Sequence, residues 1–323
     1  MNVLNSNIMS FYHPTKVVFL DDNQGFLDAM ALELHEQENI LMFTNPEMAM
    51  QLIKTSNESM LQHTTIEEDN NNLDLNSNSI TKTSNLINMI YDPLRFNNVA
   101  VLVVDYSMPT INGVEFCKQL SDKSIFKILV TAEADKDIAI NAFNDGIIDK
   151  FILKTHANLF EQIKIYINEL TNKYFMNFSR DTLTNYGESL KLLLNNKPFK
   201  ELFDSVAIES NAVEYYLADR LGSFLFLTKR GEPTWLLICD QDKVKSQVDL
   251  LKDYCFPEEL IKGIEKKEDL LFLFSENEYK EDLGNWEKYI FKSKKLDDNY
   301  NFSVVTGSLT NSINWKRVAP YQL

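Results

Sequence analysis

The sequence predicts two folds in succession. Residues 14–175 are expected to form a doubly wound α/β domain with a five-stranded parallel sheet. Residues 176–323 are expected to form a smaller α+β domain with an antiparallel sheet. Three observations carry this. Five short apolar runs in the first half alternate with stretches of helical periodicity, the pattern of successive βα units. Two of those runs, VAVLVVD and KILVTAE, suit strands buried on both faces. In the second half, three strand-like runs follow one another across turns punctuated by Gly and Pro, as in an antiparallel meander. The length of 323 residues agrees, since a domain takes roughly 100–200.

Taken in order, KVVFL at 16–20 is a β-branched and aromatic run that ends in Asp21-Asp22-Asn23. Phe26, Met30 and Leu34 then share one helical face within 25–38. ILMF at 40–43 reads as the second strand. Asn45-Pro46 reads as a helix start, with Asn capping and Pro in the first turn, and that helix runs to Lys54. Residues 55–88 are rich in Asn, Ser and Thr and have little apolar periodicity. A mobile insertion over 55–97 is expected, a tolerant surface loop in preference to a partner-binding segment.

VAVLVVD at 99–105 is the third strand, a helix follows at 113–121, and KILVTAE at 127–133 is the fourth strand. The helix DIAINAFNDG at 137–146 closes on Gly146, and KFILK at 150–154 is the fifth strand. An amphipathic helix from Asn158 to Tyr174 presents Leu159, Ile163, Ile167 and Leu170. It either completes the domain by packing on the sheet or also forms a dimer seam or signalling linker. Beyond it, strands are expected at 213–218, 223–228 and 234–239, with Trp235 in the core. Helices at 242–254 and 257–266 and strands at 270–274 and 301–305 complete the second half.

The formal charge of −15 is uneven: residues 1–172 carry −12 and residues 173–323 carry −3. An acidic first half repels phosphate backbones, and the second half has no dense basic stripe. Nucleic-acid binding is therefore disfavoured, with Lys292, Lys294 and Lys295 as the one local basic group to watch. Cys117, Cys239 and Cys255 form no C-x-x-C pair, so neither a disulfide framework nor a zinc site is expected. The N-terminus has no signal-peptide pattern, and no apolar stretch approaches the ~20 residues that span a bilayer. A cytoplasmic protein without a membrane partner is expected.

In open α/β sheets, ligands bind outside the carboxyl ends of the strands. Asp21 and Asp22 follow the first strand, Asp105 ends the third, Thr131 ends the fourth and Lys154 ends the fifth. One rim thus receives three carboxylates, a hydroxyl and an ammonium. Clustered carboxylates need a cation, and oxygen donors at such a rim suit Mg2+ with phosphate oxygens. Asp105 can act as a nucleophile towards a phosphoryl group, with Lys154 and the metal balancing its charge and Thr131 donating a hydrogen bond.

The order VVFLDDN, VLVVDYSMPTINGVEF, ILVTAEAD, KFILK resembles the receiver domain of bacterial two-component response regulators. The segment Asp105, Met108, Pro109 and Gly113 is its most specific part. The resemblance implies that Asp105 accepts phosphate from a sensor histidine kinase or a phosphotransfer protein. It implies Mg2+ on Asp21, Asp22 and Asp105, helped by the Ser107 carbonyl, and phosphoryl contacts from Thr131 and Lys154. Phe151 holds the aromatic switch position, and Ser107 and Glu133 hold the positions that tune dephosphorylation. Where the family usually has Pro after the lysine, this chain has Thr155, so the loop after the fifth strand is expected to differ.

The second half shows no recognition helix with basic flanks, no G-G-D-E-F, no Walker loop and no ATPase signature. Its EYYL and GSFLFL strings resemble the C-terminal region of a group of response regulators, some in quorum-sensing systems with α-hydroxyketone signals. Glu214, Asp219, Asp240 and Asp242 lack metal-ligand spacing and read as turn or surface carboxylates. The expectation is a response regulator, not itself an enzyme, that signals by protein–protein contact or homodimerisation through its last receiver helices. A receiver-gated enzyme or nucleotide-binding unit is the alternative, and DNA binding is the least favoured.

Overall fold

The computed structural model describes residues 8–35, 39–56, 86–120, 124–132, 135–185, 187–274, 278 and 286–321. The described residues form two compact units. One contains Pro14 to Ser56 and Leu94 to Phe178. The other contains the residues up to His13, Leu86 to Pro93, and those from Ser179 onward. The second unit takes Leu86 to Pro93 from within the span of 14–175 expected for the first domain, and it also includes residues 8–13, which precede that span.

The first unit is built on β2 (Lys16–Leu20), α1 (Gln24–Glu33), β3 (Ile40–Phe43) and α2 (Pro46–Ser56). It continues with β4 (Val99–Asp105), α3 (Gly113–Gln119), β5 (Phe126–Thr131), α4 (Lys136–Asn144), β6 (Lys150–Leu153) and the start of α5 (Leu159–Asn185). Its five strands are parallel in the order β3-β2-β4-β5-β6. Every residue of β4 is buried, which is why its sequence is apolar without alternation. Side chains alternate across a strand. Val18, Leu20, Leu102 and Val104 therefore meet Ala49, Ile53, Val114, Phe116, Ala139 and Ala142 of α2, α3 and α4. The alternate residues Val17, Phe19, Val101 and Val103 are equally buried, as are Leu27, Met30, Ile163 and Ile167 on α1 and α5.

Local signals end these elements as anticipated. The Asn45 side chain accepts from the backbone N–H of Glu47 and Met48 ahead of α2. Gly146, at φ +69°, follows α4 in the left-handed region. The amphipathic helix expected to stop at Tyr174 instead runs on to Asn185. No Gly or Pro interrupts it before Gly187. Tyr174, Phe175 and Phe178 extend its apolar face, with ring centroids 4.9–5.2 Å apart.

The insertion expected to be mobile over 55–97 needs correction at both ends. Residues 55–56 complete α2, and residues 57–85 lie outside the described residues. From Leu86 the chain is helical, with 3-10 turns at Met89–Tyr91 and Pro93–Asn97. Leu86, Ile87, Met89, Ile90 and Phe96 are buried, so the Asn/Ser composition that argues for mobility has already ended.

The second unit contains β1 (Phe11–Tyr12), the end of α5, α6 (Glu188–Asn195), α7 (Lys197–Glu209), β7 (Ala212–Leu217), β8 (Phe224–Thr228) and β9 (Pro233–Asp240). Then come α8 (Gln241–Asp253), α9 (Glu258–Glu265), β10 (Asp269–Leu271), β11 (Ile290–Lys292), β12 (Lys294–Lys295) and β13 (Tyr300–Thr306). An antiparallel six-stranded sheet runs β1-β7-β8-β9-β13-β12, and β10 pairs with β11 separately. The expected meander is β7-β8-β9. Phe203 of α7 packs its ring 4.9 Å from Tyr215, 5.0 Å from Phe224 and 4.9 Å from Phe226. Trp235 is fully buried, near Phe272 and Trp315. The strand expected at 270–274 stops at Leu271. The N–H of Phe274 goes to the Glu278 carboxylate at 2.6 Å instead of to a neighbouring strand.

Candidate functional site

The acidic rim forms because β2 and β4 are neighbours in register, Leu20 opposite Val104. Asp21 and Asp22 follow one strand and Asp105 ends the other. Carboxylate oxygens of Asp21, Asp22 and Asp105 all lie within 4.8 Å of one another. The Asp21 and Asp105 side chains are only 3% and 4% exposed, while Asp22 is exposed. Lys154, directly after β6, places its Nζ 2.9 Å from Asp21 Oδ2 and 2.9 Å from Asp105 Oδ1. Three carboxylates against one ammonium leave net negative charge at an oxygen-lined rim on which Asp21 and Asp105 are nearly buried and Asp22 is exposed. That donor set fits a hard divalent cation such as Mg2+.

Several backbone contacts fix this geometry. Asp21 Oδ1 accepts from the N–H of Asn23 at 2.8 Å, and the Asn23 side chain caps α1 by accepting from Phe26 N. Lys154 N–H donates to the Thr131 carbonyl at 2.7 Å, tying the ends of β5 and β6 together. After β4, the Gly113 N–H donates to the Tyr106 carbonyl at 2.9 Å. Gly113 lies so close beneath Asp105 that a Cβ there would overlap the Asp105 carbonyl oxygen. This accounts for the glycine in the motif: the turn into α3 passes directly against the backbone of the candidate acceptor.

The electrostatics follow the packing. Burial pushes the Asp105 carboxyl above its ordinary pKa, the Lys154 hydrogen bond opposes this, and the Asp21 charge adds to it. Burial also disfavours the Lys154 ammonium, but its bonds to Asp21 and Asp105 outweigh that and hold its pKa above the usual lysine value. Asp105 thus sits in a poorly solvated place beside a cation, its charged form disfavoured by burial and favoured by Lys154.

The other expected residues fall at different distances from this centre. Thr131 ends β5 on the same rim and is fully buried, but its hydroxyl is directed at the Ala132 carbonyl, 3.4 Å away. Ser107 is exposed, and its backbone N–H bonds the Asp105 carboxylate. Phe151 is half-buried against the core, with the exposed Phe143 edge-on at 6.4 Å. Glu133 lies outside the described residues. Thr155, which stands where the family usually has Pro, sits in a turn closed by His156 N–H on the Leu153 carbonyl at 2.9 Å. Phe26 was legible only as a helix-face residue, yet its ring lies 4.8 Å from the Lys154 ammonium. The spacing of Phe26 after Asp22, one helical turn beyond the strand end, is the signal that could have found it.

The second unit's candidate acids have structural partners. Glu214 is buried and accepts from Tyr216 Oη at 2.6 Å. Asp219 accepts from the N–H groups of Leu221 and Ser223, and Asp240 caps α8 through Lys243 N. Asp242 lies in the first turn of α8, where a negative charge favours the helix dipole. Of the basic group, Lys292 pairs with Asp269 at 2.7 Å and Lys295 with Asp298 at 2.6 Å, which offsets two of its charges. The three cysteines are free thiols, and among the described residues no helix is long and apolar enough to cross a membrane.

A parallel sheet in this strand order, with an acidic triad and a lysine at its carboxyl rim, defines a class, and sequence comparison agrees. Residues 66–164 match the response regulator receiver domain. The chain therefore carries a response regulator receiver domain together with an extra domain. More particularly, it is similar to the Legionella pneumophila response regulator LqsR, at 26% identity and a TM-score of 0.75, over 98% of this chain and 94% of that one. That similarity extends through both units. An adenylate cyclase structure from Rhodopirellula baltica matches at 20% identity and a TM-score of 0.37, over 53% of this chain and 97% of that one. An uncharacterized protein from Neptuniibacter caesariensis matches at 20% and 0.36, over 51% of this chain and 91% of that one. No curated protein sequence matches. The family match begins beyond Asp21 and Asp22, so only the structure reunites that pair with Asp105.

Proposed function

We propose that this protein is a phosphorelay response regulator whose Asp105 accepts a phosphoryl group from a sensor histidine kinase or phosphotransfer protein. The observation that carries the reading is the convergence of Asp21, Asp22 and Asp105 within 4.8 Å, bridged by Lys154 at 2.9 Å. A carboxylate oxygen of Asp105 attacks phosphorus and forms the acyl-phosphate bond as the bond to the donor imidazole nitrogen breaks. The imidazole leaves with that electron pair. Asp21, Asp22 and Asp105 would hold Mg2+, with the Ser107 carbonyl as a further oxygen. When bound, the ion neutralises charge on the transferring phosphoryl oxygens.

Lys154 already sits against Asp105 and needs only a small movement of its ammonium to contact a phosphoryl oxygen. Thr131 contributes its hydroxyl by rotating from Ala132, and Phe151 then responds as the switch residue. Ser107 and Glu133 set how fast water removes the phosphoryl group. The second unit delivers the output by binding a partner or a second copy and not by catalysis. The structural partners of Glu214, Asp219 and Asp240 and the ion pairs of Lys292 and Lys295 support this.

The test is incubation of the full chain with acetyl phosphate and Mg2+, followed by separation on a phosphate-affinity gel. A shifted band that needs Mg2+ and disappears in Asp105→Asn is expected. An equal shift in Asp105→Asn would refute the assignment.

A further inference from the structure

A closed path of contacts runs through Asp21, Asn23, Phe26 and Lys154, all within the first unit. Asp21 Oδ1 accepts from the Asn23 N–H at 2.8 Å. The Asn23 side chain accepts from the Phe26 N–H at 3.1 Å, and the Asn23 carbonyl accepts from the same N–H at 3.0 Å. The Phe26 ring centroid lies 4.8 Å from Lys154 Nζ. Lys154 Nζ donates to Asp21 Oδ2 at 2.9 Å, which returns the path to its start.

The backbone fixes where the ring stands. Asn23 is the extended N-cap of α1, and its two bonds to the Phe26 N–H set the first turn of the helix. The burial of α1 rests on Leu27 and Met30, at 1% and 0% exposure. Phe26 precedes Leu27 and is only half-buried, with the lysine ammonium over its ring.

Lys154 needs such a support. Its ammonium carries three N–H donors on a flexible four-carbon stem, and its side chain is 31% exposed. It lies 2.9 Å from both Asp21 and Asp105, the carboxylates assigned above to Mg2+. A carboxylate that shares its charge with a divalent ion attracts the ammonium less, and two cations at one rim repel each other. The Phe26 ring has no oxygen to give a metal, so its attraction for the ammonium is outside that competition.

We infer that Phe26 is a positioning residue for Lys154. Its ring retains the ammonium beside Asp105 while the carboxylates turn to the metal. The ammonium then meets the phosphoryl oxygens instead of relaxing into solvent. The inference rests on the proposed phosphoryl transfer to Asp105.

The test is a double-variant cycle in the full chain, with Phe26→Leu, Lys154→Met and both together, read in two ways. The first readout is the initial rate of phosphoryl uptake from acetyl phosphate with Mg2+. Phe26→Leu keeps apolar bulk and removes the π face. The rate is expected to fall about three- to tenfold, the equivalent of one partly exposed cation–π contact. Phe26→Tyr keeps the π face and is expected to hold the rate within about twofold of the natural chain. In the Lys154→Met chain, Phe26→Leu is expected to change the residual rate by less than about twofold, since a residue that acts through Lys154 has nothing left to act on. The second readout is the urea midpoint without metal, which needs no phosphoryl transfer. The two substitutions together are expected to lower it by less than the sum of their separate effects. Equal falls in rate with and without Lys154, a tyrosine variant as slow as the leucine one, or additive midpoints overturn the role of Phe26, and uptake by the natural chain then leaves the Asp105 reading standing. Absence of uptake by the natural chain overturns that reading, and the role of Phe26 with it.

Discussion

Replacing Gly113 by Ala tests how tightly the candidate site is built. A Cβ at this position would overlap the Asp105 carbonyl oxygen and lie 2.9 Å from Leu129 Cδ1. Leu129 is fully buried, and the Asp105 carbonyl belongs to the central strand, so neither neighbour can rotate aside. The start of α3 must move instead, which stretches the 2.9 Å bond from Gly113 N–H to the Tyr106 carbonyl. Overpacking of this kind costs about 1–3 kcal/mol, and weakening the hydrogen bond adds about 0.5–1.5 kcal/mol. A loss of about 2–4 kcal/mol is therefore expected, read as a lower urea midpoint with an unchanged slope. Because the displaced group is the backbone of Asp105, Mg2+ affinity should fall along with stability. A variant within about 0.5 kcal/mol of the natural protein, the range of an ordinary surface change, would refute the packing argument.

Lys154→Met removes the cation that two nearly buried carboxylates share. Since Lys154 is itself 31% exposed, a loss of about 1–3 kcal/mol is expected without metal. Phosphoryl incorporation from acetyl phosphate should fall about 100-fold, and an unchanged rate would remove Lys154 from the chemistry. Asp105 has a raised folded-state pKa, so its contribution to stability is present below its unfolded value and is lost as pH rises through the folded one. Asp105→Asn should abolish that loss and raise metal-free stability at neutral pH by about 0.5–2 kcal/mol, checked by urea midpoints across acidic to neutral pH. The same raised pKa means that protons compete with Mg2+ at a higher pH than for an ordinary aspartate, so affinity should drop on acidification, as titration calorimetry would measure. In the second unit, Phe203→Ala empties the space between Tyr215, Phe224 and Phe226 and should destabilise it by about 3–5 kcal/mol, measured by denaturant unfolding.

The receiver was legible because its signals are local and its chemistry converges. β4 announces itself by an unbroken apolar run, and the strand ends of β2, β4 and β6 deliver Asp21, Asp22, Asp105 and Lys154 wherever the loops go. The meander β7-β8-β9 was legible for the same reason, through its turns. Long-range pairing was not. Nothing in Phe11-Tyr12 says that its partner is Tyr215-Tyr216, and a two-residue strand has no periodicity to read. The segment from Leu86 was absorbed into a polar insertion, although its own apolar residues are buried and the Ile90 carbonyl accepts from the distant Ala319 N–H. The Thr131 hydroxyl shows a different gap: sequence places it on the rim but cannot say that it turns to Ala132.

The central claim is that one side chain, Asp105, receives the phosphoryl group. Peptide mapping by mass spectrometry after treatment of the full chain with acetyl phosphate and Mg2+ tests it most directly. The account predicts one added phosphoryl group on the peptide containing Asp105, labile to hydroxylamine as an acyl phosphate is, and absent when Mg2+ is withheld. A stable phosphoryl group on a serine, threonine or tyrosine, or an acyl phosphate on a peptide lacking Asp105, would contradict it.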